Sequence, residues 1–295
     1  MISDGIMNLL MEMITFSFVI PIAFIIVWKI RTRKSLVPVF VGAAVFFVAA
    51  NVLESIPHTL FLRIDSPISR FLTGNPWAYA LYGGVMAALF EETARYLAFK
   101  FFLAKYPGKE TAVSYGLGHG GLECMIILGI GHIQNYTYCQ LINAGKMDDM
   151  IKSLAGNESA VKTYEDLVKN LTGLKVSTIM WGGVERLSAL FLQVALSVMV
   201  YYAVKQAGKI KFLWIAMALH TLVDFVAAFY KAGVVPLFVV ELCIIIITVG
   251  ACRLALQMYR ALPADPSTVT KKTNWKAAKA RYTSVDTDKD EKKDE

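Results

Sequence analysis

The sequence predicts an all-α polytopic membrane protein, a bundle of about seven transmembrane helices. Of its 295 residues, 56% are apolar and 18% are charged, with a mean hydropathy of +0.51, whereas soluble domains hold about 45–50% apolar residues. The charged residues cluster between apolar runs of about 20 residues, the length that crosses a bilayer. Because Lys and Arg flank these runs and form no single stripe, the net charge of +7 gives no indication of nucleic-acid binding.

Seven apolar runs predict the spans. They cover roughly residues 8–28, 37–54, 77–103, 111–142, 177–204, 211–230 and 235–258. The first run follows an acidic N-terminus and precedes a basic cluster, the reverse of a cleavable signal peptide, so we expect it to be retained. We therefore expect one transmembrane domain over residues 1–262, followed by a polar tail over 263–295 whose mixed charge predicts disorder.

The distribution of basic residues predicts the orientation. With the N-terminus outside, the inner connections hold the basic clusters and the outer connections 55–76 and 143–176 mix acidic with basic residues. The sequence thus predicts an N-out, C-in protein of the cytoplasmic membrane, with the tail in the cytoplasm. It gives no indication of the oligomeric state.

Ionisable residues inside the spans are the candidate functional residues. The third span carries Glu91, Glu92 and Arg95, although one charge near the bilayer centre costs about 2.5–3.5 kcal/mol on insertion scales. At 1.5 Å per residue, the polar residues of four spans fall about 12–20 Å below the inner surface. These residues are Glu91, Arg95, His119, Glu123, Gln193, His220 and Asp224. We expect them to enclose a polar cavity open toward the cytoplasm, although a set of interhelical hydrogen bonds is the alternative.

Other motifs restrict the chemistry. The sequence has no Gly-x-Ser-x-Gly, no His-Glu-x-x-His and no Cys-x-x-Cys motif, so serine, thiol and standard zinc sites are not indicated. Metal binding by His119, Glu123, His220 and Asp224 is possible by ligand type, but their spacing matches no established zinc pattern. We therefore expect no cofactor and no metal. The glycines of the fourth span either allow close helix packing or leave room for a substrate or water beside His119.

Four motifs together resemble the YhfC family of bacterial membrane proteins. They are Glu91-Glu92-Thr-Ala-Arg95-Tyr, Gly-Leu-Gly-His119-Gly-Gly-Leu-Glu123, Val-Glu185-Arg186-Leu-Ser-Ala and His220-Thr-Leu-Val-Asp224, in the third to sixth spans. That family is similar to PrsW proteases and CAAX prenyl proteases, and more distantly to the anterior-pharynx-defective subunit of gamma-secretase. The resemblance implies a glutamic-type intramembrane endopeptidase that cuts membrane-embedded peptides or proteins within the lipid bilayer.

The resemblance also implies residue roles. Glu91 would be the base that activates water, with Glu92 beside it as the alternative, and His220 with Asp224 would stabilise the oxyanion. Arg95, Glu123, Glu185 and Arg186 would support them. The histidine that helps to activate water is either His119 or position 193, where we expect a histidine and this chain has Gln193.

Glutamine cannot transfer protons at neutral pH. If position 193 carries the proton, Gln193 disables the enzyme. The alternatives are a non-catalytic membrane scaffold or substrate-binding protein, and a proton-coupled transporter, because buried acids and histidines also form proton relays.

Overall fold

Every regular element that the structure describes is a helix. The structure is a computed structural model, and it describes residues 1–231, 233 and 235–263. Apart from Pro263, the tail predicted over 263–295 therefore lies outside the described residues. Within them, the all-α fold class is confirmed.

Ten helices follow one another in the described ranges, numbered here in chain order. They are α1 (Asp4–Thr32), α2 (Val37–Arg63), α3 (Pro67–Gly74), α4 (Pro76–Leu97), α5 (Glu110–Asn143), α6 (Lys146–Ser153), α7 (Glu158–Thr172), α8 (Val176–Lys205), α9 (Lys211–Lys231) and α10 (Leu237–Ala261). Six of them, α1, α2, α5, α8, α9 and α10, are long and apolar enough to cross a membrane. Helix α4 is also long, 22 residues, but it carries three of the charged residues of the third predicted span, Glu91, Glu92 and Arg95. The prediction of about seven spans is compatible with this set.

Helix α4 has a sharply defined start that fixes where its acidic pair lies. The Asn75 side chain accepts hydrogen bonds from the backbone amides of Trp77 and Ala78, and Pro76 occupies the first helical position. Both features are typical of helix N-termini, since the first amides have no partner inside the helix. At its other end α4 continues as a π-helical turn over Ala98–Phe102.

Helix α5 is the centre of the bundle and packs on α1, α2 and α8, while α4 packs on α9 and α8 on α10. Two glycines allow these contacts. A Cβ at Gly116 would lie 2.6 Å from the Val194 Cα on α8, and a Cβ at Gly84 would lie 2.6 Å from the Thr221 carbonyl oxygen on α9. Close packing between helices therefore explains Gly116, because small residues commonly allow membrane helices to approach each other.

The bundle has two different ends. The connections 33–36, 103–109 and 206–210 meet at one end, which we call the lysine-rich end, and the short helices α3, α6 and α7 lie at the other, the capped end. The lysine-rich half is filled by large buried side chains, at most 1% exposed: Phe99, Tyr115, Leu196, Met199 and Tyr201. Space inside the bundle is therefore left in the capped half.

Candidate active site

Four of the seven residues of the predicted polar layer, together with Glu92, form a buried cluster of side chains from α4, α5 and α9. Glu91, Glu92, Arg95, His119 and His220 are each at most 5% exposed. Charged groups withdrawn from water are tolerated only when they are paired, and every one of these residues has a charged or polar partner. The structure thus brings together the residues that the sequence placed at one depth.

Glu91 lies between the two histidines. Its Oε2 is 2.8 Å from His119 Nε2 and 4.0 Å from His220 Nε2. Glu91 also lines the internal cavity described below, whereas Glu92 does not. Of the two adjacent glutamates, Glu91 is therefore the one that a cavity-bound molecule can reach.

Glu92 orients the ring of His220. Its Oε1 is 2.9 Å from His220 Nδ1, and both of its carboxyl oxygens are 3.0 Å from Arg95 Nη1. Asp224, which the resemblance paired with His220, lies on the other side of the ring, with its Oδ2 3.5 Å from Nε2. Because Glu92 occupies Nδ1, the Nε2 atom of His220 is directed toward Glu91 and Asp224.

Arg95 is the hub of the buried network. It pairs with Glu92, three residues away, although Glu91, four residues away, is also spaced for an intrahelical ion pair. Its Nη2 lies 3.1 Å from His119 Nε2 and also donates to the Gln193 side-chain oxygen on α8. This one guanidinium therefore links the acidic pair of α4 to α5 and α8.

The predicted supporting residues continue the network across α5 and α8. Gln193 Nε2 donates to Glu123 Oε2 at 2.9 Å, and Arg186 Nη1 donates to Glu123 Oε1 at 2.9 Å. Arg186 also pairs with its neighbour Glu185. Gln193 is 2% exposed, so its amide bridges Arg95 to Glu123 inside the bundle.

A cavity of about 640 Å³ begins at this layer. It is lined along α4 from Glu91 back to Tyr79, and along α9 from His220 forward to Tyr230. Both helices run in these directions toward the capped end. The cavity therefore does not extend toward the lysine-rich end, where the sequence analysis expected it to open, because the large side chains of that half fill the space.

The cavity has polar residues that the sequence analysis missed. Glu54 on α2 is 7% exposed, with its Oε1 3.1 Å from His58 Nε2, and His58 Nδ1 is 3.2 Å from the Tyr82 hydroxyl. Glu241 on α10 is 1% exposed and also lines the cavity. Glu54 and His58 fall at the end of an apolar run, where polar residues are expected at the membrane surface. Glu241 could have been identified from the sequence, because it is a lone acid within an apolar span.

Comparisons with known proteins agree with the motifs. Residues 16–245 match the family described as YhfC intramembrane metalloprotease. The chain is also 33% identical, over 221 residues, to the uncharacterized membrane protein YhfC of Bacillus subtilis (strain 168), covering 74% of this chain and 83% of the relative. No solved structure matches.

The family description raises the question of which residues fit a metal ion. Catalytic zinc sites use three protein ligands, and within residues 1–231, 233 and 235–263 no group of three His, Cys, Asp or Glu side chains could hold a metal. His119 Nε2 faces the Arg95 guanidinium, and its Nδ1 has no hydrogen-bond partner in the described part of the chain, whereas metal-bound histidines normally donate their second N–H. The described residues do not fit a resident metal.

Proposed function

The chain belongs to the YhfC intramembrane metalloprotease family, and we propose that it is an intramembrane endopeptidase in which Glu91 activates the attacking water. The multi-pass helical bundle and the family's description as a protease carry the general activity. The glutamic mechanism is our own inference from the side chains around Glu91. We further propose that the substrate is a membrane-embedded peptide segment and that the enzyme lies in the cytoplasmic membrane.

The observation that supports this mechanism most is the spacing of Glu91 and His220. Their facing atoms, Oε2 and Nε2, are 4.0 Å apart, too far for a direct hydrogen bond and suited to a water that bonds to both. Glu92 fixes the His220 ring by Nδ1, so the geometry of the pair is set before a substrate arrives.

The proposed reaction uses these groups in turn. Glu91 takes a proton from the water while the oxygen of that water bonds to the peptide carbonyl carbon. In the protonated ring of His220, Nδ1–H donates to Glu92 and Nε2–H donates to the oxyanion that forms. When the C–N bond breaks, the proton on Glu91 passes to the leaving nitrogen. The products are a carboxyl fragment and an amine, and Glu91 is again a carboxylate.

The cavity is suited to a short extended segment. Its volume of about 640 Å³ lies within the range of about 300–1,000 Å³ that is common for ligand pockets. A helical substrate has its carbonyl groups in i→i−4 hydrogen bonds, so it must unwind locally before a water can attack. Polar side chains of the cavity wall, such as Asp224, would then replace the lost backbone hydrogen bonds.

The direct test is cleavage of hydrophobic peptides by purified protein in lipid nanodiscs. We expect Glu91→Gln to lower kcat by about 10²–10⁴-fold, the usual contribution of a general base, with little change in thermal stability. The matched control is Glu110→Gln, because Glu110 begins α5 at the lysine-rich end and does not line the cavity. Unchanged cleavage by Glu91→Gln would refute the assignment of the base.

The same assay separates this mechanism from metal catalysis. Protein that has been dialysed against a chelator, and whose metal content has been measured by elemental analysis, should keep its activity. Loss of cleavage on dialysis together with recovery on adding Zn²⁺ would contradict the proposed role of Glu91.

A further inference from the structure

The cavity carries more acids than bases. Among the described residues, six carboxyl side chains line it, together with one arginine, Arg186, and three histidines. The carboxyl residues are Glu54, Glu91, Glu123, Glu185, Asp224 and Glu241. If all six are ionised, six carboxylates face at most four cations among the described residues, even with all three histidines protonated. In the low dielectric of a membrane protein this imbalance favours a cationic ligand over an anionic one.

Glu241 differs from the other acids of the cavity because it has no partner among the residues that the structure describes. Glu123 and Glu185 pair with Arg186, and Glu54 pairs with His58. Glu241 is 1% exposed, and its Oε2 is buried without a hydrogen bond. A buried acceptor without a donor costs about 1–3 kcal/mol, so a donor bound in the cavity would restore the missing bond.

Glu241 is also separate from the proposed catalytic groups. It lies in the first turns of α10, near the capped end, and α10 contributes no residue to the cluster around Glu91. A ligand that contacts Glu241 therefore occupies the capped-end part of the cavity, away from the bond that is cut.

We propose that Glu241 is a specificity residue that binds a cationic group of the substrate, either a basic side chain or a free amino terminus. This inference rests on the proposed function, since it names the class of peptide that the cavity takes. An ammonium or guanidinium group supplies the donors that Glu241 lacks, and charge-assisted bonds of this kind are about twice as strong as neutral ones. It also offsets the excess of carboxylates.

Binding measurements test this without requiring cleavage. Fluorescent hydrophobic peptides are titrated into Glu91→Gln protein in nanodiscs of zwitterionic lipid, so that anionic lipid does not attract them. N-acetylated peptides carry one lysine or, in its place, norleucine, and a third peptide carries norleucine with a free amino terminus. We expect a cationic peptide to bind about tenfold more tightly than the acetylated norleucine peptide, the value of one charge-assisted hydrogen bond.

Variants of Glu241 assign the preference. Glu241→Gln should abolish the cation preference while leaving binding of the acetylated norleucine peptide unchanged. Glu241→Asp, which keeps the charge and guards against a misfolded Gln variant, should retain part of the preference. The control Glu110→Gln, another acid with one unpartnered carboxyl oxygen but outside the cavity, should retain all of it.

The outcomes are distinct. Preference for the lysine peptide identifies a side-chain cation, and preference for the free amine identifies an amino terminus. Equal binding of all three peptides, or a preference that survives in Glu241→Gln, would overturn the proposal. If cationic peptides bind through Glu241 but native protein cuts none of them, the proposed function fails while this site stands.

Discussion

At the scale of single residues, the two adjacent glutamates of α4 have different surroundings. Consecutive residues of a helix point about 100° apart, so Glu91 faces the cavity and the histidines, while Glu92 faces Arg95 and the His220 Nδ1 atom. A pair of acids at one depth would repel each other in a bilayer. Here Arg95 offsets Glu92, which leaves Glu91 available for chemistry.

Gln193 is a positioning residue in this arrangement, because its amide joins Arg95 to Glu123. Gln193→Ala leaves both charged groups short of a partner. We expect this change to lower the free energy of unfolding by about 1–3 kcal/mol and to reduce kcat. Gln193→His keeps a donor and an acceptor at the site, so its stability should lie close to that of the native protein.

Thermal unfolding and the pH profile of kcat check these expectations. A positioning role predicts that the profile of Gln193→His has the same shape as that of the native protein. A large gain in cleavage with a new ionisation in the profile would instead mean that Gln193 disables a catalytic histidine position.

At the scale of helices, the contact between α4 and α9 positions Glu91 opposite His220. It depends on Gly84, whose added Cβ would lie 2.6 Å from the Thr221 carbonyl oxygen, whereas a Cβ at the neighbouring Gly83 would meet nothing within 4 Å. Gly84→Ala should therefore lower the free energy of unfolding by about 1–3 kcal/mol, the usual cost of overpacking. Gly83→Ala is the matched control and should leave it unchanged.

Thermal unfolding of both variants in nanodiscs measures this difference. The peptidase activity of Gly84→Ala should fall with its stability, because a backbone shift between α4 and α9 changes the Glu91 to His220 distance. Equal melting temperatures for the two variants would contradict the role of Gly84.

The helices were more predictable from sequence than the contacts between them. Apolar length and depth placed Glu91, His119 and His220 in one layer, because both quantities follow from one chain segment at a time. The partner of Arg95 and the residue that holds the His220 ring depend on helix rotation and on packing between helices. The sequence likewise gave no sign of the π-helical stretches in α2, over Phe47–Leu53 and Thr59–Arg63, which alter the faces that this helix presents.

At the scale of the whole molecule, the cavity extends away from the end of the bundle that carries the basic connections. Basic connections predict that the lysine-rich end faces the cytoplasm, and the cavity runs from Glu91 toward the capped end. If this orientation holds, the cavity leads from the proposed cleavage site to the outer surface of the membrane. We then expect the shorter cleavage product to leave on that side.

Cysteine labelling in intact cells tests this orientation. In a background with Cys243 and Cys252 replaced by serine, Ser153→Cys places an exposed thiol on α6 at the capped end, and Lys105→Cys places one at the lysine-rich end. A membrane-impermeant maleimide should label Ser153→Cys in intact cells and Lys105→Cys only after permeabilisation, because charged reagents do not cross the bilayer. The reverse labelling pattern would mean that the capped end faces the cytoplasm. The cavity would then lead to the cytoplasm, as the sequence analysis expected.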